Sequence, residues 1–77
     1  MNLVEFLIME NLPLNGDYLD LSELKNNVMS DLFSIKNQTD PNIFELAVDS
    51  LGSKQYVFVN KGKEKIAATQ YGINRFN

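Results

Sequence analysis

The order of residue patterns along the chain constrains the fold most, because the pattern changes after Gly52. Before that glycine, apolar residues recur at helical spacing in three segments, which Pro13, Gly16 and Pro41 separate. After it, residues 55–60 are rich in aromatic and β-branched side chains, which favour a strand. The chain is therefore predicted to fold as an α+β domain in which helices pack against one hairpin.

The predicted hairpin pairs this strand with a second strand in residues 64–69. Residues 60–63 suit a tight turn with Gly62 at positive φ, where a side chain would clash with the backbone. Residues 70–76 are then expected to form a short final helix, which lays two apolar side chains on the core, those of Ile73 and Phe76.

Three helices are predicted before the hairpin, in residues 2–12, from Asp20 or Ser22 to about residue 35, and from Pro41 to about Leu51. The third has the clearest start, because a capping residue, Thr39 or Asp40, precedes proline at the first helical position. Gly52 is expected to end it. The core stripes are Leu21, Leu24, Val28, Leu32 and Ile35 in the second helix, and Phe44, Ala47, Val48 and Leu51 in the third.

The first helix is apolar on two faces. Val4, Leu7 and Ile8 share one face of a helical wheel, whereas Phe6 and Met9 lie on the other side. Two interpretations stay open: the remaining elements of the same domain cover both faces, or Phe6 and Met9 pack against a second subunit in a homodimer.

Length and composition narrow the classes of function. A chain of 77 residues with 44% hydrophobic content closes one core, so residues 1–77 are read as a single domain. Cysteine and histidine are absent, which removes thiolate nucleophiles, imidazole bases and Cys/His zinc sites. The spacing of Asp17, Asp20 and Glu23 matches no calcium loop and suits a helix start. Neither an enzyme nor a cofactor nor a metal is expected.

A membrane segment and a secretion signal are not expected either. The longest apolar stretch, residues 3–9, contains Glu5 and is shorter than the ~18 residues that span a bilayer. A secretion signal would require a Lys or Arg before the apolar stretch, and none is present there. The expected setting is cytoplasmic.

The formal charge of −3 is distributed unevenly along the chain. Up to Asp49 there are nine acidic and two basic residues, a balance of −7, whereas five basic residues and one acidic residue follow, a balance of +4. If the protein contacts a polyanion, the contact is expected from the C-terminal third and not from the whole surface.

Two stretches of the chain resemble the winged helix-turn-helix family, as found in small bacterial or phage regulators. Residues 41–57, PNIFELAVDSLGSKQYV, are similar to its third helix running through a turn into the first strand of the wing. Residues 66–76, IAATQYGINRF, are similar to its closing segment, in which glycine lies three residues after a threonine that ends the strand. The resemblance implies three helices, a C-terminal hairpin wing and a short final helix.

The resemblance also implies an interface with double-stranded DNA, in which the third helix enters the major groove and the wing contacts phosphate. The outward positions of that helix are Asn42, Glu45, Leu46 and Asp49, and the wing lysines are Lys61, Lys63 and Lys65. Lys54 and Arg75 extend the basic patch if the fold brings them near. The third helix departs from the pattern, because it carries two acids and no Lys or Arg and so repels a polyanion.

Two functions are therefore weighed: a DNA-binding transcription regulator, and a protein-interaction module whose acidic helices bind a basic partner. The wing lysines either contact phosphate or only keep the hairpin edge soluble. Three aromatic residues either stack on bases or, as most strand aromatics do, pack in the core: Tyr56, Phe58 and Tyr71.

Overall fold

The computed structural model describes residues 1–37 and 40–76, which form four helices and a three-stranded antiparallel sheet. The predicted α+β class is confirmed. The elements in chain order are α1 Leu3–Asn11, β1 Leu19–Asp20, α2 Leu21–Lys36, α3 Asn42–Ser53, β2 Val57–Val59, β3 Lys65–Ala68 and α4 Gln70–Phe76.

The predicted hairpin is present, and the sheet has one strand more than predicted. β2 and β3 are antiparallel, with Val59 opposite Ile66. β1 pairs with the other edge of β3 and brings Leu19 opposite Ile66, so β3 is the central strand. A strand of two residues carries too little periodicity to be recognised in the sequence.

The turn of the hairpin differs from its prediction. Lys63, not Gly62, has positive φ, at 56°. The side chain of Asn60 holds this turn, because its Oδ1 accepts the backbone N–H groups of Glu64 at 2.8 Å and Lys65 at 3.0 Å. The Asn60 carbonyl also accepts the N–H of Lys63 at 2.9 Å. These bonds offset the cost of placing lysine in a left-handed conformation.

Helix α1 begins with a capping box. Asn2 Oδ1 accepts the N–H of Glu5 at 2.9 Å, and Glu5 Oε1 accepts the N–H of Asn2 at 3.1 Å. Val4, Leu7 and Ile8 are buried, and so is Met9, at 1% exposure. The idea that Met9 faces a second subunit is therefore wrong, because the chain's own elements cover it.

The core stripes of α2 and α3 agree with the predictions except at the end of α2. Leu24, Val28 and Leu32 are buried, as are all four predicted residues of α3. Ile35 is 58% exposed, so its predicted place in the core is wrong. At 16 residues α2 is much longer than the 9-residue α1 that packs against it, and Ile35 lies in its last turn.

Helix α3 starts close to its predicted position and ends later than predicted. Asp40 Oδ1 accepts the N–H of Asn42 at 3.0 Å. Thr39 lies outside the described residues. Gly52 does not end the helix, which continues to Ser53; the residue with positive φ is Gln55, at 65°. The left-handed backbone conformation that follows the helix therefore lies at Gln55, three residues after Gly52.

The C-terminal helix docks as predicted, with Ile73 buried and Phe76 packed against the core. Thr69 joins α4 to the segment before β2: its Oγ1 accepts the N–H of Gly72 at 2.9 Å and donates to the carbonyl of Gln55 at 2.6 Å. A Cβ atom on Gly72 would lie 2.1 Å from the Tyr56 carbonyl oxygen. Glycine at this position permits the close approach.

Candidate functional site

The three hairpin lysines are exposed, but they are not equivalent. Lys65 begins β3, whereas Lys61 and Lys63 lie in the turn, so the three do not form one alternating row on a strand. The ammonium group of Lys65 forms an ion pair with Asp20 of β1, and this hydrogen bond raises the pKa of Lys65. Within the described residues no ion pair involves Lys61 or Lys63, so the hairpin tip carries two unpaired cations beside the likewise unpaired carboxylate of Glu64.

The two residues considered as extensions of the basic patch are engaged elsewhere. Lys54 Nζ lies 3.5 Å from Glu5 Oε2 of α1. The Arg75 guanidinium lies over the ring of Tyr71, 5.0 Å from its centroid, and that ring contacts Tyr56 edge to face. Both cations are therefore engaged with residues outside the hairpin.

Glu5 is a buried charge, with its side chain only 4% exposed. Burial raises the pKa of its carboxyl group, but hydrogen bonds from the Ser50 side chain and the Asn2 backbone, with the charge of Lys54, outweigh this and lower it below the ordinary value. Ser50 and Lys54 belong to α3 and its C-cap, so Glu5 fixes α1 against α3.

The outward face of α3 is as predicted: Asn42, Glu45, Leu46 and Asp49 are all exposed. This face is less negative than the sequence of α3 alone suggests, because Glu45 Oε1 lies 2.7 Å from Lys25 Nζ of α2. Glu45 is thus compensated, whereas Asp49 has no ion pair within the described part of the chain. Leu46, which is 68% exposed, is the most exposed of the large apolar residues.

A cleft separates α3 from the hairpin, with a volume of about 420 Å³. Sequence reasoning did not find it, because its walls come from three separate segments. Its lining combines apolar side chains, charged groups and one bare backbone position: Leu21, Val48, Val57, Phe58 and Val59, then Glu45, Asp49 and Lys63, and finally Gly52.

No protein-family model, curated protein or solved structure matches this chain. What the protein binds is therefore inferred from its own geometry and charge.

A second hollow, of about 380 Å³, lies between the start of α2 and the hairpin turn. It is lined by Asp20, Ser22, Lys63, Glu64 and Lys65. Two carboxylates and two ammonium groups share it, and one pair of them is the Asp20–Lys65 ion pair. Its charge therefore favours neither an anion nor a cation.

The aromatic residues divide between the core and the surface. Tyr56 packs against the core, whereas Phe58 is 53% exposed, so the interpretation of Phe58 as core packing is wrong. Strand alternation explains the difference, because Val57 is buried and its neighbour must face the opposite side. The Phe58 ring contacts Tyr18 edge to face at 6.4 Å between centroids, across the sheet from β2 towards β1.

Phe6 is 43% exposed on α1, and its ring lies 5.3 Å from that of Phe76 in α4. A second subunit at this position stays a prediction. Among residues 1–37 and 40–76 no three acidic side chains are placed to hold a metal ion together. In the same ranges no helix is both long enough and apolar enough to cross a membrane.

Proposed function

We propose that the protein is a small winged-helix regulator that binds double-stranded DNA through the tip of its β2–β3 hairpin. The order of the elements supports the fold assignment: three helices precede a hairpin, and a short helix closes the chain. β1 adds a third strand beside that hairpin, on the edge of β3 away from β2. A fold alone does not establish a function, so the proposed function rests on the residues of the site.

The observation that carries the proposal is the pair of uncompensated lysines at the hairpin tip. Lys61 and Lys63 lie in a turn whose backbone Asn60 holds with three hydrogen bonds, so the backbone from which the two side chains extend is ordered before a phosphate arrives. The proposal does not rest on Lys65, whose ammonium group already pairs with Asp20.

The Lys25–Glu45 ion pair reduces the repulsion of DNA that the two acids of α3 predict from the sequence. With Glu45 compensated, the repulsion between α3 and a phosphate backbone is concentrated at Asp49. α3 still presents no free cation, so the proposal gives the charge contact to the hairpin and none to α3.

A salt titration of duplex DNA binding, followed by fluorescence anisotropy, tests this function. Neutralising two phosphates gives log K against log salt a slope of about −1.8, or about a twelve-fold loss of affinity between about 50 and 200 mM salt. Lys61→Gln and Lys63→Gln should each reduce the slope by about 1. Lys36→Gln is the matched control, because Lys36 is an exposed lysine at the far end of α2.

The proposal requires that replacing Lys61 or Lys63 changes the salt dependence of DNA binding. If the wild-type protein does not bind DNA at low salt, or if Lys36→Gln weakens binding as much as the tip variants do, it is refuted.

A further inference from the structure

The cleft between α3 and the hairpin has the features of a docking site that the DNA proposal does not use. We infer that it binds a segment of a partner protein in which an apolar side chain lies next to a lysine or arginine. The cleft and the proposed DNA contact share one residue, Lys63, so Lys61, which does not line the cleft, is the residue that separates the two proposals.

Gly52 is the first reason, because the fold does not require glycine there. The residue is helical, its φ is not positive, and a Cβ atom built on it would meet nothing within 4 Å. Glycine is less favourable in a helix than alanine, so its presence needs another explanation. A bare backbone in the wall of a cleft lets another chain approach closely.

The apolar lining is the second reason. Leu21 and Val59 line the cleft and are only partly buried. An apolar side chain of a partner would cover these surfaces and remove them from water. The cleft is also within the range of about 300–1,000 Å³ that binding sites occupy.

The charge at the rim determines the kind of partner. Asp49 and Lys63 both line the cleft and have no ion pair within the described ranges, Asp49 on the α3 wall three residues before Gly52 and Lys63 on the hairpin wall, whereas Glu45 is compensated by Lys25. A lysine or arginine that enters along the α3 wall would compensate Asp49, whereas a nucleic acid phosphate in that place would be repelled by it. The excess of acids up to Asp49 attracts a basic partner at longer range.

A peptide-display library, selected on the immobilised full chain, tests the inference. Selection should enrich peptides with a basic residue next to Leu, Ile, Val or Phe. The enriched peptides are then synthesised and titrated into the ¹⁵N-labelled protein. Amide signals that shift should include those of Val48, Asp49, Gly52 and Val57.

Variants with matched controls identify the cleft as the site. Asp49→Lys should weaken peptide binding by about ten-fold or more, while Glu10→Lys, an equal charge change on exposed α1 surface, leaves it within about two-fold. Leu21→Ala should weaken binding by about five-fold or more, and Leu14→Ala, which shortens an exposed leucine (57%) outside the cleft lining, should not.

Gly52→Leu is the decisive variant, since it fills the cleft without opposing the helix. It should abolish peptide binding while the melting temperature stays the same or rises. Lys61→Gln should lower DNA binding and leave peptide binding within about two-fold, which separates the two proposals.

The inference is overturned if no peptides are enriched or if acidic peptides are enriched. It is also overturned if the Asp49→Lys and Gly52→Leu variants bind the peptides as tightly as the wild-type protein does. Duplex DNA that shifts the cleft amides and displaces the peptide would also overturn it, because the cleft would then belong to the DNA interface.

Discussion

Glu5 is expected to be a major contributor to stability, because its carboxylate joins the start of α1 to α3. Replacing it with glutamine keeps the side-chain shape and the oxygen that accepts from Asn2, but it removes the charge that Ser50 and Lys54 stabilise. Hydrogen bonds to a charged group contribute ~1.5–3 kcal/mol, and a neutral bond about half of that. Glu5→Gln should therefore lower the free energy of unfolding by about 1–2 kcal/mol at pH 7.

The effect should depend on pH with a known sign. The folded protein lowers the pKa of Glu5 below its ordinary value of 4.5, so ionised Glu5 stabilises the fold above that pH. This contribution is lost as the pH falls through the lowered value. The difference in unfolding free energy between wild type and Glu5→Gln should accordingly shrink below about pH 4.5.

Urea unfolding followed by circular dichroism, measured from pH 7 down to pH 3, provides the comparison. Glu10→Gln is the control, since Glu10 is an exposed carboxylate on the same helix. A difference between wild type and Glu5→Gln that is the same at pH 3 and pH 7 would refute the assignment of this stability to the ionised carboxylate.

Two further variants test the backbone of the C-terminal half. Gly72→Ala should destabilise the protein by about 1–3 kcal/mol in the same urea assay, because its Cβ would lie 2.1 Å from the Tyr56 carbonyl oxygen; an unchanged midpoint would contradict the close packing of α4. Lys63→Gly should stabilise it by up to about 1 kcal/mol, because Lys63 has a φ of 56°; a loss of stability would mean that the Lys63 side chain supports the turn.

Local signals in the sequence predicted most of the helices and the hairpin. The Asp40-Pro41 start of α3 and the strand-forming residues of β2 and β3 are signals that extend over only a few residues. They can therefore be recognised in a single sequence. The position of positive φ was predicted at Gly62, yet Lys63 adopts it. Composition indicates which residue tolerates that conformation most easily, whereas the hydrogen bonds of Asn60 decide which residue takes it.

Contacts between distant residues were beyond this reasoning. Met9 was assigned to a second face of α1 because a helical wheel cannot show how many elements will surround the helix. β1 is stable as a strand only because β3 lies beside it, and nothing within Leu19–Asp20 indicates that partner. The α3–hairpin cleft likewise exists only once its three segments have come together.

The ion pairs explain why the charge distribution along the chain differs from that on the surface. Of the three ion pairs among residues 1–37 and 40–76, two join an acid of the first half to a lysine of the second, Glu5 to Lys54 and Asp20 to Lys65. The basic balance of the C-terminal third is thus partly compensated within the fold, and at the hairpin tip Lys61 and Lys63 stay unpaired beside Glu64. The third pair compensates Glu45 and leaves Asp49 as the unpaired charge on the α3 wall of the cleft, opposite Lys63 on the hairpin wall. Opposite charges consequently remain at the hairpin tip and on α3, and these are the surfaces to which DNA and a basic protein segment are assigned.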